Sequence, residues 1–135
     1  MDPTTDAAAN ESRDEQARLS LKFQRELNAG LIGLVLLAVL EQAGEDLYGY
    51  QIAKRLQALS GGSSPVKQGA LYPVLRQLSG NGLLASRIVP SYAGPPRRYY
   101  RITEAGRTAL SEWRGIWRST RDFVDGFTEA NGASS

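Results

Sequence analysis

From Leu31 to Leu40 nearly every position is apolar, and Ala43-Gly44 ends the run. A stretch apolar on all sides predicts a helix covered on more than one face, either central in the fold or also covered by a second subunit. Asn28 offers a good N-cap in front of it. A second helix is predicted from Gly49 to Leu59: Ile52, Ala53, Leu56 and Leu59 fall at i, i+1, i+4 and i+7, while Gln51, Lys54 and Arg55 face away. Ser60 to Pro65 reads as a loop. A third helix carries Leu71, Val74, Leu75 and Leu78 on one face and Gln68, Tyr72 and Arg76 on the other. It starts between Lys67 and Ala70 and stops at Gly80-Asn81-Gly82. Pro73 lacks a donor for the preceding turn, so it belongs in the first turn of that helix or marks a kink.

Leu83 to Val89 and Arg97 to Thr103 predict two strands, joined by the long tip Pro90-Ser91-Tyr92-Ala93-Gly94-Pro95-Pro96. On the second strand Tyr100 and Ile102 share a face with Arg98, and Arg97, Tyr99 and Arg101 share the other. Thr103 then caps a last helix, with Glu104 well placed in its first turn. Leu110, Trp113, Trp117, Thr120, Val124 and Phe127 follow a 3-4-3-4-3 spacing. About two and a half heptads cannot hold together alone. A second subunit is the simplest cover for that stripe. Residues 1–18 show no apolar period and read as a flexible arm, and residues 130–135 as a disordered tail.

Composition narrows the chemistry. The chain has 135 residues with no His and no Cys. That removes disulfides, thiolate and imidazole catalysis, and the commonest metal ligands. The expectation is a protein without catalytic residues, metal or cofactor. The longest apolar run, about 12 residues, is short of the roughly 20 needed to span a bilayer, and no signal peptide opens the chain. A cytoplasmic protein without a membrane partner is expected.

Net charge is only +2, from 16 Lys and Arg against 14 Asp and Glu, but its distribution is uneven. Residues 1–47 carry 4 basic and 9 acidic groups, and residues 104–135 carry 4 and 5. Residues 48–103 carry 8 basic groups and no acid, where chance would place about six of the acids. All six tyrosines lie in the same window. Such a region is the footprint of a surface that faces phosphates.

Three helices, two strands with a long basic hairpin, and a final helix make the winged helix-turn-helix plan, a mainly α (α+β) fold. In such motifs the second helix enters the major groove and the first crosses the backbone. Lys67, Gln68, Tyr72 and Arg76 on the third helix, Lys54 on the second, and Arg97 and Arg98 on the hairpin are the candidate DNA contacts. The lysines suit phosphates; the wing arginines suit phosphates or the minor groove. The expected organisation is an arm over 1–18, a DNA-binding domain over 19–103, a dimerisation helix over 104–129 and a tail over 130–135.

Tyr48-Gly49-Tyr50, Gly69-Ala70-Leu71-Tyr72-Pro73-Val74-Leu75, Leu78 with Gly82-Leu83-Leu84, and the run from Gly94 through Arg97-Arg98-Tyr99-Tyr100-Arg101 to Gly106 resemble the PadR family of transcriptional regulators, in the family's order. The short tail resembles the smaller subtype, with a single C-terminal helix. The resemblance implies a homodimer held by the last helix and the long apolar first helix, with Leu31, Val35, Leu110, Trp113, Trp117, Val124 and Phe127 at the interface. It also implies an inverted-repeat operator in double-stranded DNA, bound by a repressor. Some relatives sense small aromatic or drug-like compounds between subunits, which makes Trp113 and Trp117 candidate effector residues beside their packing role. Lys67 departs from the Ser or Thr common at its position and caps poorly, while adding charge.

Two other classes compete. A winged helix can serve as a protein-interaction module without specific DNA binding. Carboxylate catalysis would need Glu41, Glu45 and Asp46, an acidic cluster with no cationic partner nearby in sequence and better explained by solvation.

Overall fold

The structure, a computed structural model, describes residues 3–59 and 68–129. The predicted loop at Ser60 to Pro65, Lys67 and the tail lie outside these. The elements are α1 (Pro3–Ala43), β1 (Leu47–Tyr48), α2 (Gly49–Leu59), α3 (Gln68–Gly80), β2 (Leu84–Val89), β3 (Arg97–Ile102) and α4 (Glu104–Thr128). The chain divides into two units, residues 1–32 and 33–135.

The first unit is helical, where the apolar pattern predicts an arm and then a cap at Asn28. α1 begins at Pro3 and continues through Asn28. Ala7, Ala8, Ala9, Glu11, Glu15, Gln16 and Ala17 are strong helix formers, and one Asn inside a helix costs only a fraction of about 1 kcal/mol. Glu15 and Arg18 pair one turn apart, and Lys22 lies 3.8 Å from Glu26 at i, i+4. Leu19, Leu21, Phe23 and Leu27 are exposed.

The second unit holds the core. Leu36, Leu37, Val39 and Leu40 of α1 are buried, as are Ile52 and Leu56 of α2 and Leu71, Leu75 and Leu78 of α3. Leu47, Leu84, Tyr100, Ile102 and Leu110 complete it. Leu59, expected on the packed face of α2, is 67% exposed, because the core contacts of that helix end at Leu56. An 18-residue window of α1 has mean hydropathy 1.5, apolar enough by length and composition to cross a bilayer. Run length alone therefore does not exclude it. Only about a fifth of that window is buried, at its C-terminal end, where Leu36, Leu37, Val39 and Leu40 enter the core.

Pro73 sits inside α3, past its first turn. The carbonyl it leaves without a donor is that of Gly69, which is exposed to water. α3 ends in a Schellman arrangement: Gly82 takes φ 78°, its N–H donates to Ser79 C=O at 3.0 Å, and Leu83 N–H donates to Leu78 C=O at 2.9 Å.

The sheet has three strands in the order β1-β3-β2, all antiparallel. β2 and β3 pair from Leu84↔Ile102 to Val89↔Arg97, as the hairpin pattern requires. β1 is an addition, pairing Leu47 with Tyr100 and Tyr48 with Tyr99. Thr103 caps α4: its Oγ1 accepts from Gly106 N–H at 3.0 Å and donates to Gly82 C=O at 2.7 Å. Thr103 N–H also donates to Leu83 C=O at 3.1 Å, tying the start of α4 to the end of α3.

Candidate nucleic-acid interface

β1 delivers the chain into α2 at Tyr48-Gly49. Tyr48 N–H donates to Gln51 Oε1 at 3.1 Å, so the third residue of the helix reaches back to its cap. Gly49 is buried, and a Cβ there would stand 2.6 Å from Cε1 and 2.8 Å from the hydroxyl of Tyr72. Only glycine leaves room for the far end of the Tyr72 side chain of α3 against the start of α2. The two helices of the motif are registered by that contact.

The position of Tyr72 opens a groove of about 320 Å³ between α3 and the wing. Tyr72 and Arg76 line it from α3, Pro96, Arg97 and Arg98 from the wing, and Tyr48 and Gly49 from the start of α2. Among the described residues no carboxylate is in its walls. Tyr100, 3% exposed, closes the bottom. Burial pushes its phenol above the ordinary value, against the opposing pull of Arg98 and Arg76, with Tyr72 adding to the rise. The predicted contacts Tyr72, Arg76, Arg97 and Arg98 are thus brought to one place. Lys54 stands apart on α2, its Nζ 5.3 Å from the Tyr50 ring centroid. Gln68 opens α3, with its side chain outside the described part, as is Lys67.

The two wing arginines are held by neutral partners. Arg97 stacks 4.6 Å over the Tyr48 ring, which meets Tyr99 edge-on at 5.3 Å. Arg98 Nη1 donates to Ser86 Oγ at 3.1 Å. Two other cations of the acid-free window are neutralised by the acidic turn just before it. Arg87 Nε lies 2.8 Å from Asp46 Oδ2, and Arg55 Nη2 lies 3.5 Å from Glu45 Oε1. The acidic cluster therefore has cationic partners, which the sequence places up to 41 positions away. Among the described residues Lys54, Arg76, Arg97, Arg98 and Arg101 make no ion pair.

The expected interface residues divide. Leu110 is 1% exposed inside the subunit, a correction: two turns past the anchored cap, it still packs into the core. Trp113 is half-buried, and its ring lies 3.6 Å from where a Cβ on Gly33 would stand. Trp117 and Leu31 are also half-buried, and neither tryptophan lines the groove. Val35, Val124 and Phe127 are exposed, as are Ile116 and Phe123 of the same helix. Phe123 and Phe127 form an edge-on pair at 5.1 Å.

Tyr48, Gly49 and Tyr100 are groove residues that residue type alone assigns to structure. The signal for them was the Tyr48-Gly49-Tyr50 motif, where a lone glycine between aromatics marks a close approach.

A helix pair registered through Gly49, followed by a two-stranded wing with unpaired arginines, defines a winged helix-turn-helix protein with a cationic face. Residues 36–112 match the transcriptional regulator PadR-like family. The PadR family transcriptional regulator from Eggerthella lenta DSM 2243 has 30% sequence identity and a TM-score of 0.67, covering 85% of this chain and 96% of that one. Transcriptional regulator Rv3488 of Mycobacterium tuberculosis is 48% identical over 60 residues, 43% of this chain and 53% of that protein. The PadR of Bacillus subtilis, solved in complex with operator DNA, shares the fold at a TM-score of 0.55 and 23% identity, covering 62% of this chain and 46% of that one. The chain belongs to the PadR-like family of transcriptional regulators.

Proposed function

We propose that this regulator is a cytoplasmic homodimeric repressor that binds an inverted-repeat operator in double-stranded DNA and carries no catalytic activity. The observation that carries the reading is the acid-free groove between α3 and the wing, where Arg76, Arg97 and Arg98 converge without acidic partners. The Bacillus subtilis PadR, which shares the fold, is solved in complex with operator DNA, and this supports DNA as the partner. Dimerisation is supported by the exposed Ile116, Phe123, Val124 and Phe127 on one helix, since a row of large apolar side chains calls for a partner. Two-fold symmetry of the protein then matches two half-sites in the DNA.

Binding to the duplex upstream of its own coding region, against a shuffled duplex at about 150 mM salt, tests the proposal. Preference of roughly a thousandfold or more is expected of a specific reader. Absence of binding to any duplex, even at low salt, sinks it and favours a protein-interaction module. The same reading gives Trp113 and Trp117 a second role, lining a site for a small aromatic effector between subunits. Titration with planar hydrophobic dyes checks this through tryptophan emission. Without saturable quenching, packing is the whole of their role.

A further inference from the structure

We propose that residues 6–27 of α1 form a clasp that lies parallel along α4 of a second copy of the chain. The proposal rests on the homodimer reading and deepens it, because charge decides which segment meets which, and in what direction. The clasp lies ahead of the family match, which begins at residue 36.

Two charge patterns are complementary in the same order along the chain. Residues 6–17 hold the acids Asp6, Glu11, Asp14 and Glu15 with one base, and residues 18–25 hold Arg18, Lys22 and Arg25 with no acid. On α4, residues 107–121 hold Arg107, Arg114, Arg118 and Arg121 with one acid, and residues 122–129 hold Asp122, Asp125 and Glu129 with no base. Each pattern runs roughly 30–35 Å as helix. A parallel alignment sets every acidic run on a basic one. An antiparallel alignment sets acid on acid and base on base.

The groups are free to pair. Among the described residues Asp6, Glu11, Asp14, Arg107, Arg114 and Arg118 are exposed and make no ion pair. The apolar side chains favour the same direction. Leu19, Phe23 and Leu27 recur every fourth residue on one side of the clasp and are exposed. In the parallel alignment they fall at the end of α4 that exposes Phe123, Val124 and Phe127. Residues 33–43 run antiparallel to α4 of their own subunit, Gly33 lying at Trp113 and Leu40 sharing a cavity wall with Thr103. A parallel neighbour is therefore the α4 of another copy. Exposed pairs add little affinity each, and their complementarity selects partner and direction.

Sedimentation over a dilution series, with cross-linking, tests the clasp. Glu11→Lys with Asp14→Lys should raise the dimer Kd about tenfold at low salt, and Arg114→Glu with Arg118→Glu should do the same. All four changes together should return it to within about threefold of wild type. The chain has no Cys, so introduced cysteines report position without background. A short bismaleimide should join Gln24→Cys protein to Thr128→Cys protein. It should not join Gln24→Cys to Thr108→Cys, about 30 Å away along α4. Charge reversals that add instead of compensating, or cross-linking of Gln24→Cys to Thr108→Cys or to neither, would overturn the clasp while leaving a dimer. A chain monomeric at every concentration would overturn the reading beneath it.

Discussion

Among the described glycines Gly106 is the one whose replacement has the largest expected effect on stability. A Cβ there would stand well inside van der Waals contact distance of the Leu83 carbonyl oxygen and 2.7 Å from Cγ1 of Ile102. Neither neighbour can give. Leu83 C=O accepts from Thr103 N–H, Ile102 is core, and the Leu83 N–H is locked in the end of α3. The Gly106→Ala protein must therefore lift the start of α4. Overpacking of this kind costs about 1–3 kcal/mol. Strain on the Thr103 cap adds about 1 kcal/mol, and the loosened Thr103 to Leu83 hydrogen bond about 1 more. Alanine's better helix propensity returns about 1 kcal/mol. The net loss is roughly 2–4 kcal/mol, on the order of 10 °C in Tm. Urea unfolding followed by tryptophan emission reads it, at one protein concentration because dimer stability depends on concentration. Gly115→Ala is the control. It lies in the same helix with nothing within 4 Å of its Cβ position, on the side away from Trp113 and Trp117, and should gain up to about 1 kcal/mol. If Gly106→Ala matches Gly115→Ala, the packing of α4 against Leu83 is not what holds this end of the wing.

Gly49→Ala should leave the fold within about 1 kcal/mol, since the far end of the Tyr72 ring can swing aside, while weakening operator binding about tenfold; unchanged affinity in an anisotropy titration would mean that the Tyr72 position is not used. Among the described residues Ser79 Oγ is buried without a hydrogen-bond partner, so Ser79→Ala should raise the unfolding free energy by up to about 1 kcal/mol, read as a higher urea midpoint. Asp46→Asn releases Arg87 beside the cationic face, with a stability loss below about 1 kcal/mol, tighter DNA binding and a salt slope steeper by about one unit; a slope unchanged across a salt series refutes the electrostatic account. Tyr100 has a raised folded-state pKa, so the unfolded phenol ionises first on the alkaline side. Its contribution is full below about pH 10 and falls as pH rises through the folded value, so the stability gap between wild type and Tyr100→Phe should narrow between pH 9 and pH 11, and a constant gap tells against it.

Hydrophobic spacing located α2, α3, the hairpin strands and α4 because each buries one face against the same core. Leu71, Leu75 and Leu78 are buried at the spacing that predicts them, and Thr103 caps as its position suggests. The same signal is silent where nothing is buried. Residues 6–18 form helix through propensity and local ion pairs, neither of which leaves an apolar period. β1 was illegible for another reason: two residues carry no alternation, and Leu47 and Tyr48 become a strand only by pairing with Tyr100 and Tyr99. Leu110 shows the limit of heptad reading. Its place in the stripe matches Trp117 and Val124, but closeness to the anchored end of α4 gives it to the core.

The candidate site was legible in its cations and not in how they are sorted. An acid-free window says that 8 positive groups lack acidic neighbours along the chain, not across the fold. Folding returns Asp46 and Glu45 to Arg87 and Arg55, so part of the apparent charge is cancelled. What remains is concentrated by position: Arg97 and Arg98 leave opposite faces of one strand, yet both reach the groove because the wing ends there and Tyr48 and Ser86 hold them. Residue type alone would rank all of these arginines equally. Their partners separate them, and the partners depend on two short-range choices, the two-residue β1 and the glycine at 49. Without β1 the Tyr48 ring does not lie beneath Arg97. With a side chain at 49, the far end of the Tyr72 ring must shift from its place in the opposite wall. The chemistry of the groove therefore rests on residues that carry no charge at all.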